Sequence, residues 1–188
     1  MDLFSRIAGI YDKIIKGFTL DTIKQFVQII PNEILLDLGG GTGRLSVELN
    51  KCVNGCILID RSFEMLEQAL KKSKDFLIVQ GVGENLPFKE NSIPQIFAND
   101  TLHHIHFQNE TLSDCYRVLK PQGRLIIREY DPEHWRTKFL LFFEWILLFG
   151  STFLSPKKLE KICQKIGFSV DWKRLSKSTY MLNAVKAI

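Results

Sequence analysis

The sequence ILLDLGGGTGRL, residues 34 to 45, joins a short apolar run directly to four glycines. A continuous apolar run of this length is typical of a strand that is buried on both faces of a parallel sheet. Because glycine has no Cβ, the backbone after the strand can turn sharply and approach a ligand closely, and a helix that starts there offers unpaired N–H groups. The stretch therefore predicts a strand, a tight turn and a helix, with the turn either a ligand site or a structural turn alone.

The same pattern repeats along the chain. CILID (56–60) is a second apolar run, and Ser62 is suited to cap the helix that follows it. FLIV (76–79), IPQIFAN (93–99) and RLIIRE (124–129) continue the series, with a helical face at Leu112, Cys115, Tyr116 and Leu119. Strands that alternate with helices predict a doubly wound α/β fold with a parallel sheet.

The C-terminal part predicts a reversed strand. Leu159, Ile162, Cys163 and Ile166 form a helical stripe that Gly167 ends, and two strand-like stretches follow at 168–174 and 179–185. The four residues between these stretches are too few for a helical crossover, so the two strands must be antiparallel. We expect a mostly parallel, seven-stranded sheet with one reversed strand near the C-terminus.

These elements predict one domain. An amphipathic helix over Ile23, Phe26, Val27 and Ile30 precedes the first strand and ends at Pro31. We divide the chain into an N-terminal helical cover, a core, an apolar lid or dimer segment, and a closing helix with two strands, at residues 1–31, 32–130, 131–155 and 156–188.

The composition excludes a disordered chain, but it does not identify a binding partner. Of 188 residues, 45% are hydrophobic and 24% charged, and the formal net charge is +4. Residues 151–188 hold eight basic and two acidic side chains. They could meet phosphate or a membrane surface, or be a solvated helix face. Four cysteines without zinc-site spacing, and no secretory signal, predict reduced thiols and a cytoplasmic protein.

Asp60 indicates that the ligand of this turn contains a nucleoside. It lies 21 positions after Gly39, at the end of the second strand, where a carboxylate can accept both hydroxyls of a ribose. Its alternative role is to help cap the next helix. Arg44 occupies the position where a dinucleotide fold requires a third small residue, which disfavours a nicotinamide cofactor.

The motifs resemble those of the class I S-adenosylmethionine-dependent methyltransferases. DLGGGTGRL (37–45) is similar to the first motif of that family, ILIDRSFEMLEQA (57–69) to the second, GVGENLPFKENSI (81–93) to the next block, and LKPQGRLII (119–127) to the last. The resemblance implies a Rossmann-like fold and S-adenosylmethionine as cofactor. The cofactor-binding residues that it implies are Asp37, Gly39, Gly40, Gly41, Asp60, Arg61, Met65, Gly83, Glu84, Asn85 and Asn99.

Two positions depart from the family pattern. Val82 stands where the family often has an aspartate for the adenine amine, so adenine recognition would rest on backbone groups and on Glu84 or Asn85. Gln122 replaces a common glycine in the turn before the fifth strand, and we expect this to be harmless if its φ is negative.

The resemblance also implies residues at the end of the cofactor from which the methyl group is transferred. FSRIAGIYDKII (4–15) resembles the ubiquinone/menaquinone-biosynthesis branch, which implies that Tyr11 lies beside the methionine end of the cofactor or the substrate. His104 is the candidate general base and His103 a substrate contact, although a structural role for each histidine stays open. No carboxylate at metal-ligand spacing accompanies His103, His104 and His106, so we expect no metal.

FLLFFEWILLF (139–149) is too short for a membrane span, which needs about 20 apolar residues. It could be a buried helix, a substrate cover, a dimer face or an interfacial anchor. As a cover, His134, Trp135, Phe142 and Trp145 would wall an acceptor pocket.

The sequence thus predicts methyl transfer to a small apolar or aromatic acceptor. An RNA- or protein-directed methyltransferase and a non-catalytic protein of the same fold are the alternatives, and peripheral membrane contact and a homodimer stay open. NDTL (99–102) stands in place of the motif of enzymes that methylate base nitrogens, which disfavours that chemistry on nucleic acid and leaves other macromolecular acceptors open.

Overall fold

Seven strands form a single sheet in the order β3-β2-β1-β4-β5-β7-β6. The computed structural model of the protein describes residues 29–135, 137 and 151–188. Its strands are β1 Leu35–Leu38, β2 Cys56–Asp60, β3 Leu77–Gln80, β4 Ile93–Asn99, β5 Leu119–Tyr130, β6 Phe168–Arg174 and β7 Thr179–Lys186. The helices in these ranges are α1 Ser46–Leu49, α2 Phe63–Lys72, α3 Gln108–Val118 and α4 Pro156–Ile166, with 3₁₀ turns at Gly83–Asn85 and Leu102–His104.

The direction of the strands confirms the predicted fold class. Strand β1 pairs in parallel with both β2 and β4, whereas β7 is antiparallel to β5 and to β6. The chain therefore leaves β1 on one side towards β2 and β3, and returns on the other side towards β4 and β5. In a doubly wound sheet, ligands bind outside the carboxyl ends of the strands at this point of reversal.

The buried faces of β1 explain its continuous apolar sequence. Leu36 packs in the hydrophobic cluster on one side of the sheet and Leu35 in the cluster on the other, and both are fully buried. Successive side chains of a strand point to opposite faces, so a strand covered on both sides must be apolar at every position. Ser62 caps α2 as predicted, since its hydroxyl accepts the N–H of Met65 at 3.2 Å.

Strand β5 differs from the prediction. It begins at Leu119, five residues early, because Leu119 already pairs with Ile93 before the register shifts and Arg124 pairs with Gln95. The predicted turn at 121–123 lies within this irregularity. Gln122 has φ +63°, so the condition under which its replacement of glycine was expected to be harmless, a negative φ, is not met, and its backbone is left-handed. The predicted first helix falls mostly on residues 1–28, outside the described residues.

Candidate active site

A cavity of about 560 Å³ lies at the carboxyl ends of β1, β2 and β4. Its walls hold twelve of the predicted site residues: Asp37, Gly39, Gly40, Gly41, Asp60, Arg61, Met65, Gly83, Glu84, Asn99, His103 and His104. Asn85, His134 and Trp135 do not line it, and Trp135 is 67% exposed. Tyr11, Phe142 and Trp145 lie outside the described residues.

The glycine turn after β1 forms the floor of the cavity. The N–H of Gly39 donates to the Ile59 carbonyl at 2.8 Å, and Gly39 has φ +68°. A Cβ at Gly39 would lie 1.8 Å from Oγ1 of Thr101, in the turn after β4. Only glycine is therefore compatible with the close approach of the β1 and β4 turns.

Asp60 joins this glycine turn to the start of α2. Its Oδ2 accepts the N–H of Gly41 at 3.0 Å, and its Oδ1 accepts the N–H of Ser62 at 2.8 Å. The carboxylate therefore has the structural role that the sequence left open. Each carboxylate oxygen can accept two hydrogen bonds, so this role is compatible with binding of ribose hydroxyls.

Asp37 is the buried carboxyl of the site, with 4% of its surface exposed. The Ser46 hydroxyl donates a hydrogen bond to its Oδ2. Burial raises the pKa of Asp37 to about 7, the Ser46 hydrogen bond opposes the rise, and the nearby charge of Asp60 adds to it. Near neutral pH this carboxyl is therefore only partly ionised.

The turn that follows β4 holds another carboxyl group of the site, that of Asp100. Asp100 has φ +51°, its carboxylate pairs with the guanidinium of the buried Arg128, and burial raises its pKa to about 6 against the opposing effect of Arg128. Among the described residues, the buried Oδ1 atoms of Asn99 and Asp100 have no hydrogen-bond partner. Buried oxygens of this kind are suited to a ligand that donates hydrogen bonds.

His103 is held by a carboxylate that the sequence analysis missed. Its Nδ1 lies 2.6 Å from Oε2 of Glu129, and both side chains are almost fully buried, 3% and 4% exposed. The ring stacks on Phe153, with centroids 4.2 Å apart. Glu129 follows Arg128 near the carboxyl end of β5, where charged residues in a buried strand could have indicated a site.

His104 has a different environment. Its Nδ1 lies 3.0 Å from the Ser151 hydroxyl, and burial, with a smaller effect of His103, lowers its pKa to about 3. The ring is therefore neutral at physiological pH. His106 is exposed and packs edge-on against Phe107 at 4.9 Å.

Hydrogen bonds to the backbone of residues 151–154 hold this segment beside the turn that carries His103 and His104. The N–H of Thr152 donates to the His103 carbonyl at 2.8 Å, and Nε2 of Gln108 donates to the carbonyls of Leu102 and Thr152 at 2.9 and 2.7 Å. The hydroxyl of Tyr180 donates to the Leu154 carbonyl at 2.9 Å. These contacts hold Phe153 and Ser151 beside the two histidines.

The turn after β3 forms the remaining wall. Val82 lines the cavity with 43% of its surface exposed, and Glu84 lies beside it. A Cβ at Gly83 would lie 2.7 Å from Cγ2 of Thr111, so this position must stay small for the turn to pack on α3.

Metal-ligand clusters and membrane-spanning helices are both absent from the described part of the chain. No group of three or more His, Cys, Asp or Glu side chains there is arranged to hold a metal ion. No helix in that part combines the length and apolar character needed to cross a membrane.

A doubly wound sheet with a glycine turn after β1 and an acidic residue at the end of β2 defines the class of Rossmann-like folds that bind a nucleoside-containing cofactor. A family model described as a methyltransferase domain matches residues 36–127. A demethylmenaquinone methyltransferase of Thermotoga maritima is 28% identical, over 93% of this chain and 90% of its own length. Residues 36–127 of the chain therefore form a methyltransferase domain, and the chain resembles the ubiquinone/menaquinone-biosynthesis branch of the S-adenosylmethionine-dependent methyltransferases.

Other relatives are matched over part of their length. The ubiquinone/menaquinone biosynthesis C-methyltransferase of Blochmanniella floridana is 32% identical over 69% of this chain, and the match spans 58% of that protein. Among solved structures, a Thermotoga maritima S-adenosylmethionine-dependent methyltransferase has a TM-score of 0.79 at 24% identity, covering 97% of this chain and 98% of its own. A chain in the complex of the Haloferax volcanii activator Trm112 with a methyltransferase has a TM-score of 0.85 at 16% identity, covering 100% and 99%. These similarities in structure support the fold.

Proposed function

We propose that this protein transfers a methyl group from S-adenosylmethionine to a small aromatic acceptor of the quinol or phenol type. The observation that carries the proposal is one continuous cavity, lined by the glycine turn and Asp60 at one end and by His103 and Tyr130 at the other. Methyl transfer from a sulfonium is an in-line displacement, which is accelerated when donor and acceptor are held in register away from water.

The residues present fit the cofactor. Asp60 would hold the ribose, Met65 and the Val82–Glu84 turn would pack at the adenine, and Gly39 to Gly41 would let the backbone approach closely. Asp37 and the Oδ1 atoms of Asn99 and Asp100 are acceptors suited to an ammonium group. When bound, S-adenosylmethionine supplies a methyl group on a positively charged sulfur.

We assign the general base to His103 rather than to His104. Oε2 of Glu129 lies 2.6 Å from Nδ1 of His103, so we assign the N–H of the ring to Nδ1, which donates to Glu129, and Nε2 is then the basic nitrogen. Transfer of the acceptor's phenolic proton to Nε2 would raise the electron density of the ring that attacks the methyl group. A pKa of about 3 makes His104 a weak base, because a base works best with a pKa near the working pH.

The class of acceptor is supported by the cavity walls and by the relatives. His103, His104 and Tyr130 give one end of the cavity aromatic surfaces on which a planar ring can stack. The relatives named above are quinone-biosynthesis methyltransferases. Tyr11, His134, Trp135, Phe142 and Trp145 stay predictions as acceptor contacts, with a dimer face as the alternative for Phe142 and Trp145.

The test is methyl transfer from S-adenosylmethionine labelled on its methyl group, with dihydroxynaphthalene, simple phenols, total RNA and a protein mixture as separate acceptors. We expect labelled product with the first two and its loss in His103→Asn. Label in RNA or protein alone would replace the proposed acceptor class. Binding of the cofactor without label in any acceptor would support the non-catalytic alternative.

A further inference from the structure

Four exposed lysines form a basic corner on this protein: Lys157, Lys158 and Lys161 of α4, and Lys177 in the turn between β6 and β7. On α4 the three lysines lie on the side opposite the buried Leu159 and Cys163, as helical spacing requires. The proposed methyl transfer uses none of them.

The basic corner adjoins the acceptor end of the cavity. Trp172, near the end of β6, donates from Nε1 to Oε2 of Glu160 at 3.1 Å, which joins the end of β6 to the first half of α4. The Ser178 carbonyl accepts the N–H of Asp131 at 2.9 Å, and Thr179 pairs with Tyr130 across β5 and β7. Tyr130 lines the cavity, and Lys177 lies only two residues before Thr179, the pairing partner of Tyr130.

The acidic side chains of this region are fewer than its basic side chains. Glu160 accepts from Trp172, and the buried Asp131 pairs with Arg174 at 2.6 Å. Asp171 lies on the opposite face of β6 from Val170 and Trp172, which pack towards α4. The first turn of α4 holds two lysines and no acidic residue, so the positive end of the helix dipole adds to the lysine charges.

We propose that the basic corner docks the protein on the phosphate headgroups of an anionic membrane, with the acceptor end of the cavity facing the lipid. Clustered lysines are attracted to the negative surface potential of such a membrane, and salt weakens the attraction. The choice of a lipid surface rests on the proposed function, because a quinol acceptor with an apolar chain would reside in the membrane. Docking at this edge shortens the path of the acceptor into the cavity.

Binding is measured with the full chain by sedimentation with vesicles of phosphatidylcholine alone or with about one-third phosphatidylglycerol. We expect binding to the anionic vesicles only, weakening as salt rises, and a loss of more than about tenfold when Lys157, Lys158, Lys161 and Lys177 are all changed to glutamine. The matched control changes four exposed lysines of the remaining surface, Lys51, Lys71, Lys74 and Lys89, to glutamine and should bind as the unaltered protein does.

Equal loss in the two variants, or equal binding to both kinds of vesicle, would overturn the proposal. Tighter binding to a short RNA than to anionic vesicles of matched charge would assign the basic corner to nucleic acid instead. No methyl acceptor is present in this assay, so its outcome does not depend on the proposed function. Charge-dependent docking, combined with no label in any acceptor of the transfer assay, would contradict the proposed function and leave the docking surface standing.

Discussion

Asp37 combines burial with a pKa of about 7, so its carboxyl is only partly ionised at neutral pH. S-adenosylmethionine carries positive charge at its sulfonium and its ammonium, and a nearby positive charge favours the ionised carboxylate. Binding should therefore release a proton, and affinity should increase as pH rises through about 7. Calorimetry in two buffers with different ionisation enthalpies measures the released proton.

The control for this experiment is Asp37→Asn, in which the amide cannot ionise. Its affinity should be flat over the same pH range and its binding enthalpy equal in the two buffers. Equal enthalpies for the unaltered protein would show that Asp37 does not change protonation when the cofactor binds.

Replacement of Glu129 tests whether its carboxylate orients the base, His103. Glu129→Gln leaves a neutral partner beside His103, so the base loses the carboxylate that orients it and stabilises its protonated form. We expect kcat to fall by about 10² or more, with the acidic limb of the pH–rate profile, where the base becomes protonated, displaced and KM for the cofactor little changed. Steady-state kinetics across pH provides the measurement.

His104→Asn is the comparison, because His104 is already neutral and should contribute little as a base. If Glu129→Gln kept both the rate and the profile while His104→Asn lost them, the base would be His104 after all.

The sequence predicts some site residues better than others. Asp37, Asp60 and the glycines stand in contiguous motifs whose spacing determines where they lie. Arg128, Glu129 and Tyr130 were missed because they continue an apolar strand and meet the histidines only after β4 and β5 pair. The difference between His103 and His104 depends on burial and on distant partners, Glu129 and Ser151, which adjacent sequence positions do not indicate.

Among the secondary-structure elements, β5 has a strained backbone near its start, at Gln122. Gln122 adopts φ +63°, which costs a residue with a side chain about 1 to 2 kcal/mol relative to glycine. Gln122→Gly removes this cost but adds unfolded-state entropy worth about 0.4 to 1 kcal/mol. We expect a net gain in unfolding free energy of about 0.5 to 1 kcal/mol, measured by chemical denaturation.

Gln122→Ala is the matched variant, since alanine has a Cβ and should give no gain. An unfolding free energy for Gln122→Gly at or below that of the unaltered protein would show that the left-handed conformation is not costly here.

The strand boundaries show where sequence patterns are limited. Strands β2 and β4 begin and end as predicted, because both are apolar runs bounded by polar or turn residues. The start of β5 was placed late because Pro121 and Gly123 predict a turn, whereas the pairing of Leu119 with Ile93 lies on the far side of that turn. Pairing across a register shift depends on the partner strand, which local propensity does not include.

At the scale of the molecule, simple rules of connection predict the topology. Alternating strands and helices require parallel pairing, and the four-residue link between β6 and β7 requires a reversal; both are present. The sheet then brings the ends of β1, β2 and β4 together around one cavity. These rules do not identify the acceptor, because one scaffold serves many substrates.

Calorimetric titration with S-adenosylmethionine, with its demethylated product and with NADH tests the central claim most directly. Asp60→Ala is the variant and Asp75→Ala, at an exposed position, its control. We expect the first two ligands to bind and NADH not to bind. Asp60→Ala should weaken binding by about tenfold or more, while Asp75→Ala should change nothing. Absence of binding by either adenosyl ligand, or full affinity in a folded Asp60→Ala protein, would contradict the assignment of this cavity to the cofactor.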